Sequence, residues 1–269
     1  MRRFFESFSS EKQETNERPP YERKDDEESL ERISQIDKDD IISELKNMTL
    51  RSELAGQRPT IEALSRLSIE LEDDVLTYDT ILSDDTSGRL VSLFLRKLIN
   101  NARERSADEE EKTENERPPI KTYFLAAGRH NDEGVRESIK SFVEKKKEEL
   151  GKVLLVTEYM ESGNSIKKLA DVLEDVGVDF DIATVSKIHK HYGKSIEKRL
   201  RYGSVGPEGL SFFNSKRSTG VEKMYGEEAI KSDPHPQKRD GSQQQKINTA
   251  REDMSMLADK ISEIIEVRN

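Results

Sequence analysis

The sequence predicts an α/β domain whose open, mainly parallel sheet carries helices on both faces. Three observations predict it. Short apolar runs alternate with segments of helical periodicity from about residue 76 to residue 186. One of those runs, Val153-Leu154-Leu155-Val156, is apolar without interruption, as a strand covered on both faces must be. The stretches between runs suit helical crossovers rather than hairpins, so parallel pairing follows.

The first 38 residues are charged, with few apolar positions, and read as a disordered arm with a short helix from Glu27 to Ile36. The core is expected over 39–200 and an irregular C-terminal extension over 201–269. Two helices precede the sheet. Ile41, Ile42, Leu45 and Leu50 share one side of the first; Thr60 caps the second, with Ile61, Leu64, Leu67 and Leu71 at helical spacing. A strand is predicted over Val75 to Leu82, then the turn Asp84-Asp85-Thr86-Ser87-Gly88. The run from Leu90 to Ile99 is apolar on most sides and reads as a buried helix.

Residues 101–118 read as a long charged loop. A strand follows over Lys121 to Ala127, ended by Gly128. Asn131 or Asp132 then caps a helix with Val135, Ile139, Phe142 and Val143 inward. After the Val153–Val156 strand comes a helix from Ile166 to Val176, closed by Gly177, and a strand over Phe180 to Val185. His189 to Arg201 is assigned to helix, residues 203–245 are irregular, and 248–267 form a terminal helix. Asn16-Glu17-Arg18-Pro19-Pro20 recurs as Asn115-Glu116-Arg117-Pro118-Pro119. A linker composition used twice explains this; a shared docking peptide is the sharper alternative.

Composition narrows the function classes. Only 32% of the residues are hydrophobic and 37% are charged, too polar for all 269 to surround one core. The absence of Cys removes disulfides, thiolate nucleophiles and Cys-based zinc sites. It fits a reducing cytosol, and a cytoplasmic location is expected. No apolar run is long enough to span a bilayer, and the basic, aromatic start lacks the apolar segment of a signal peptide. A formal net charge of −10 argues against nucleic acid as a partner. It leaves small anions open, because backbone amides hold phosphate whatever the net charge.

The chemistry is sharpest in Thr157-Glu158-Tyr159-Met160-Glu161-Ser162-Gly163-Asn164-Ser165. A buried strand runs into an acidic residue, a short turn and a helix. Ser162, Gly163, Asn164 and Ser165 fall where helix amides lack intrahelical partners, so a phosphate there meets N–H groups and the positive end of the helix dipole. Glu158 lies near the strand end, placed to accept hydrogen bonds from a sugar diol. A plain helix cap is the competing reading. Neither Gly-Lys-Ser/Thr nor Gly-x-Gly-x-x-Gly occurs, so the turn is neither a P-loop nor a dinucleotide fingerprint. Asp84, Asp85, Ser87, Gly88 and Arg89 form a second polar turn, which either contacts a ligand or caps the next helix. Gly128-Arg129-His130 ends a third strand at the same edge, where Arg129 would balance a phosphate. Lys198, Arg199, Arg201, Lys216 and Arg217, with Tyr202, Phe212 and Phe213 among them, suit an active-site cover or a solvated face equally.

The stretch from Val153 to Ser165 resembles the phosphoribosyl-diphosphate motif of the type I phosphoribosyltransferases: an apolar strand, two acidic residues, a variable spacer, then Thr/Ser-Gly-x-Thr/Ser. The acidic pair maps onto Thr157 and Glu158, and the turn onto Ser162-Gly163-Asn164-Ser165. The first acidic position is Thr157, which lowers the charge and weakens any indirect contact with Mg²⁺. The resemblance implies that the turn holds the 5′-phosphate, that Glu158 with Thr157 fixes the ribose, and that residues 84–89 meet the diphosphate. It implies Mg²⁺, bound mainly through the diphosphate, and transfer of the phosphoribosyl group to an unidentified acceptor. A noncatalytic relative that senses a ribose phosphate and presents its charged arms to a protein partner is the alternative. A scaffold with no ligand is the third reading. Self-association is left open.

Overall fold

The computed structural model describes residues 45, 58–84, 88–109, 117–125, 133–188, 191–206 and 241–266. The chain divides into Met1–Ile36 and Asp37–Asn269, and every described residue belongs to the second unit. Several predicted features lie outside the described residues: the arm and its helix, the first predicted helix apart from Leu45, Asp85 and Ser87, Gly128, Arg129, His130, His189, and the segment with Phe212, Phe213, Lys216 and Arg217.

Among the described residues five strands form one sheet: β1 (Thr80–Asp84), β2 (Lys121–Leu125), β3 (Val153–Met160), β4 (Phe180–Lys187) and β5 (Leu200–Val205). Their order is β2-β1-β3-β4-β5 and every pairing is parallel. The helices are α1 (Arg58–Leu71), α2 (Arg89–Glu109), α3 (Glu133–Leu150), α4 (Asn164–Val176), α5 (Lys194–Arg199) and α6 (Gly241–Glu266). The predicted α/β class, with a parallel sheet between two helical layers, is therefore present.

Side-chain alternation along the strands separates two cores. On one face Ile81, Leu154, Val156, Ala183 and Val185 pack with Leu64 and Leu67 of α1, Phe94 and Leu95 of α2, and Leu257 and Ile261 of α6. On the other, Leu82, Val153, Leu155 and Ile182 pack with Ile139 and Val143 of α3, Leu169 and Leu173 of α4, and Ile196 of α5. Each large apolar side chain so buried contributes roughly 1.5–3 kcal/mol relative to exposure.

The structure corrects several boundaries. Val75 is not in a strand: Glu72–Thr77 is a 3-10 turn, and β1 starts only at Thr80. Three acidic residues open that turn, where unpaired amides favour negative charge. The charged stretch after residue 100 is not wholly loop, because α2 continues to Glu109. Glu104 is exposed there, while Arg103 turns inward and donates to the carbonyls of Tyr78 and Pro118. Arg117 donates to Leu76 O, so the second Arg-Pro-Pro segment ties the entry of β2 to the turn before β1.

The helix expected over His189 to Arg201 shrinks to α5, and Leu200 and Arg201 open β5 instead. The predicted extension thus supplies an edge strand of the sheet. Gly203 explains how β5 fits: a Cβ there would lie 1.8 Å from Ala63 O, so only glycine lets α1 lie directly on the strand. The terminal helix begins at Gly241, earlier than predicted, and packs on α2. Asn101 Nδ2 donates to Asp259 Oδ1 at 2.7 Å, and Lys97 pairs with the same carboxylate at 3.2 Å.

Candidate anion-binding site

The strand order creates one special place. From β1 the chain crosses to β2 on one side, then returns over β1 to β3 on the other. Connections leave the C-terminal ends of β1 and β3 in opposite directions, which opens a crevice between them, and parallel α/β sheets bind ligands at such a reversal. Ser83 opposite Val156 is the last rung joining the two strands. Beyond it, β3 continues to Met160 beside β4.

The sheet changes chemistry towards this edge. β3 passes from Val-Leu-Leu-Val to Thr-Glu-Tyr-Met, and β4 from Phe-Asp-Ile-Ala to Thr-Val-Ser-Lys. Ser83, Thr157, Glu158, Thr184 and Ser186 are all buried there. Buried polar groups need partners. Thr184 Oγ1 lies 3.0 Å from Ser186 O and 3.3 Å from Glu158 O, and Ser186 Oγ donates to Gly206 O. Glu158 has 0% exposure because β3 runs four residues past the predicted end Val156 and stays covered. The carboxylate expected at the strand's open edge sits beneath the edge.

The turn after β3 is built around Gly163, whose φ of 69° and ψ of 1° place it in the left-handed region. Gly163 precedes α4 and accepts the first helical bond, from Lys167 N at 2.8 Å. No side chain caps this helix end from Gly163. Ser162 Oγ accepts weakly from Asn164 N at 3.4 Å. Ser162 and Asn164 are exposed, and Gly163 and Ser165 half-buried, so the predicted turn faces solvent at the start of a thirteen-residue helix.

Gly88 and Arg89 both make contacts within the fold. The Gly88 amide donates to Asp84 O at 3.0 Å. A Cβ on Gly88 would lie 2.3 Å from Ser83 Oγ, 2.8 Å from Asp84 O and 3.0 Å from Val156 O. Glycine therefore seats the start of α2 against both β1 and β3. Arg89 holds its guanidinium 4.0 Å from the centroid of the Phe124 ring. Asp84 is half-buried and closes β1. Of the predicted site, the structure brings the end of β1, Gly88 and β3 together; Asp85, Ser87 and Arg129 lie outside the described residues.

Two side chains absent from the predicted site complete this edge. Tyr192 packs its ring against Gly163: a Cβ there would be 2.7 Å from Tyr192 Cδ1. Its hydroxyl donates to Met160 O at 2.6 Å. Lys187, at the end of β4, lies 3.7 Å from the centroid of the Tyr202 ring. Burial pulls its amine below the ordinary lysine range, opposed by the charge of Glu197. Extending the Phe180–Val185 strand by two residues points to Lys187, whereas the Tyr192 contact is non-local and leaves no local signal.

No protein-family model matches the chain, and no curated protein matches it. Among the described residues no helix is long and apolar enough to cross a membrane.

Proposed function

We propose that the crevice between the ends of β1 and β3 binds phosphoribosyl diphosphate, and that the protein transfers the phosphoribosyl group to an acceptor. The observation that carries this reading is the exposed turn Ser162–Ser165. It combines a left-handed glycine with a helix start whose Asn164 amide meets the Ser162 hydroxyl at a long 3.4 Å, at the reversal point of a parallel sheet. The amides at the start of α4 would hold the 5′-phosphate, with the hydroxyls of Ser162 and Ser165 as further donors. The acceptor's nucleophilic atom would bond to the anomeric carbon as the carbon–oxygen bond to diphosphate breaks. Diphosphate would leave with the electron pair.

Mg²⁺ would neutralise charge on the departing diphosphate. Among the described residues no group of three or more His, Asp or Glu forms a metal cage. Asp84 supplies a carboxylate at the crevice. An ion carried by the substrate's own oxygens needs only one or two protein carboxylates, with water completing the shell, and Asp84 would be one of them.

A second reading rests on Glu158. With its carboxylate buried and Thr157 in the other acidic position, the edge presents less charge to a ribose and its metal than the motif calls for. This favours a protein that binds a ribose phosphate without turning it over and signals through its charged arms.

Calorimetry with phosphoribosyl diphosphate separates these readings from a ligand-free scaffold. The expected result is Mg²⁺-dependent binding that disappears in Gly163→Val. Absence of binding to the wild-type chain would sink both. Release of diphosphate in the presence of an acceptor then distinguishes transferase from sensor.

A further inference from the structure

The Tyr192 contact with Gly163 joins two loops. Met160 O accepts from both Ile188 N at 3.0 Å and the Tyr192 hydroxyl at 2.6 Å, so the end of β3 is bound twice by the chain that leaves β4. Tyr192 is itself anchored, because its backbone N–H donates to Glu197 Oε1 at 2.8 Å. Glu197 belongs to α5, and His191 Nδ1 lies 3.3 Å from the same oxygen. A chain of contacts therefore runs from α5 through Tyr192 to Met160 and Gly163, the two residues flanking the bend into α4.

We propose that Tyr192 is a positioning residue for the anion-binding turn, holding Met160 and Gly163 in the phosphate-ready conformation before ligand arrives. The inference rests on the phosphate-binding reading of the turn. The ring fills the side of Gly163 where another residue would carry Cβ, and the hydroxyl fixes the carbonyl that begins the bend. A turn held this way pays its ordering entropy on folding rather than on binding. Tyr192 meets Gly163 on the side where a Cβ would project, so its proposed role is to act through Gly163 rather than on the anion.

Two substitutions and a ligand-free measurement test this. Tyr192→Phe keeps the ring and removes the hydroxyl; Tyr192→Ala removes both. With ribose 5-phosphate as probe, affinity is expected to fall about fivefold in Tyr192→Phe, the equivalent of one ordinary hydrogen bond, and about tenfold or more in Tyr192→Ala. In the ligand-free protein, exchange of the Lys167 amide, which reports the first bond of α4, should quicken in both variants while amides inside β3 stay protected. The chain has no Trp. Tyr192→Trp thus places a single indole against Gly163, and its emission should shift on adding ribose 5-phosphate. Unchanged affinity in both variants overturns the inference, and so does tighter binding in Tyr192→Ala, which would make the ring a plug. If the wild-type chain binds no phosphate, the functional reading fails; quickened Lys167 exchange would still show Tyr192 holding the turn, and unaltered exchange would remove that role as well.

Discussion

The two ends of the sheet are built on opposite principles. At the N-terminal end, charges are matched against one another. Tyr78 donates its phenolic proton to Asp181 Oδ2 at 3.0 Å, Lys152 Nζ lies 3.2 Å from the same carboxylate, and Arg201 binds Asp74 at 3.2 Å. Asp79 Oδ2 accepts from Lys152 N, and the Lys152 ammonium lies over the Tyr78 ring. This network clamps the turn before β1 to the starts of β3, β4 and β5. At the C-terminal end, glycines allow backbones to approach, and polar groups accumulate beneath an exposed turn. The comparison teaches that one end secures the strands with matched charges, while the other carries an exposed, glycine-bent turn at the start of α4.

The sharpest way to break the comparison is to dismantle the clamp. Tyr78 is fully buried, so Tyr78→Ala should cost about 3–5 kcal/mol from the lost ring and cavity alone. Chemical denaturation should show this as a lower midpoint. Tyr78→Phe keeps the packing and removes only the proton donated to Asp181, and should cost about 1–2 kcal/mol. If the ends are separable, Tyr78→Phe leaves phosphate affinity unchanged.

Next in size is Gly88→Ala, which attacks the C-terminal end. Its Cβ would meet two backbone carbonyls as well as Ser83 Oγ, so a rotamer change cannot relieve the overlap. A loss of roughly 1–3 kcal/mol is expected as α2 is pushed from the crevice. Unlike the Tyr78 variants, Gly88→Ala should weaken phosphate binding at temperatures where the protein is still folded. Equal stability of Gly88→Ala and the wild type would show that α2 is not seated as closely as its backbone implies.

These variants also mark what could be read from the sequence. The β3–α4 unit was legible because its signals are local: an unbroken apolar run, then Gly163 and Gly177 at the two ends of an amphipathic helix. β5 was not legible. Leu-Arg-Tyr-Gly-Ser-Val has a charge and a glycine where a strand pattern wants apolar residues, and both are explained only by distant partners, Asp74 for Arg201 and the Ala63 backbone for Gly203. The helical part of 101–109 was hidden for a related reason, since nothing local shows Arg103 reaching Tyr78 O. At the candidate site, the Ser162–Ser165 turn was readable. The burial of Glu158 was not, because it depends on how far β3 stays covered after β1 has ended.

The smallest expected effect is a response to pH that differs between the two ends. Burial, reinforced by Asp181, raises the Tyr78 phenol far above its ordinary range. A raised folded value means that the neutral form contributes stability fully below the unfolded phenol pKa of about 10, and that this is lost as pH rises through the folded value. Tyr78 should therefore stay silent in an ultraviolet titration until the protein unfolds in alkali. Glu197 at the other end is held below the ordinary carboxylate range, first by the Tyr192 N–H and also by the charge of His191. Its contribution is present above the unfolded carboxylate pKa of about 4.3 and is lost as pH falls through the depressed folded value. The Tyr192 amide shift should thus hold from neutral pH down through about 4.3, then move together with the Glu197 carboxyl carbon in more acid solution. A Tyr192 amide shift that stays constant while the Glu197 carboxyl carbon moves would break the proposed link through Glu197.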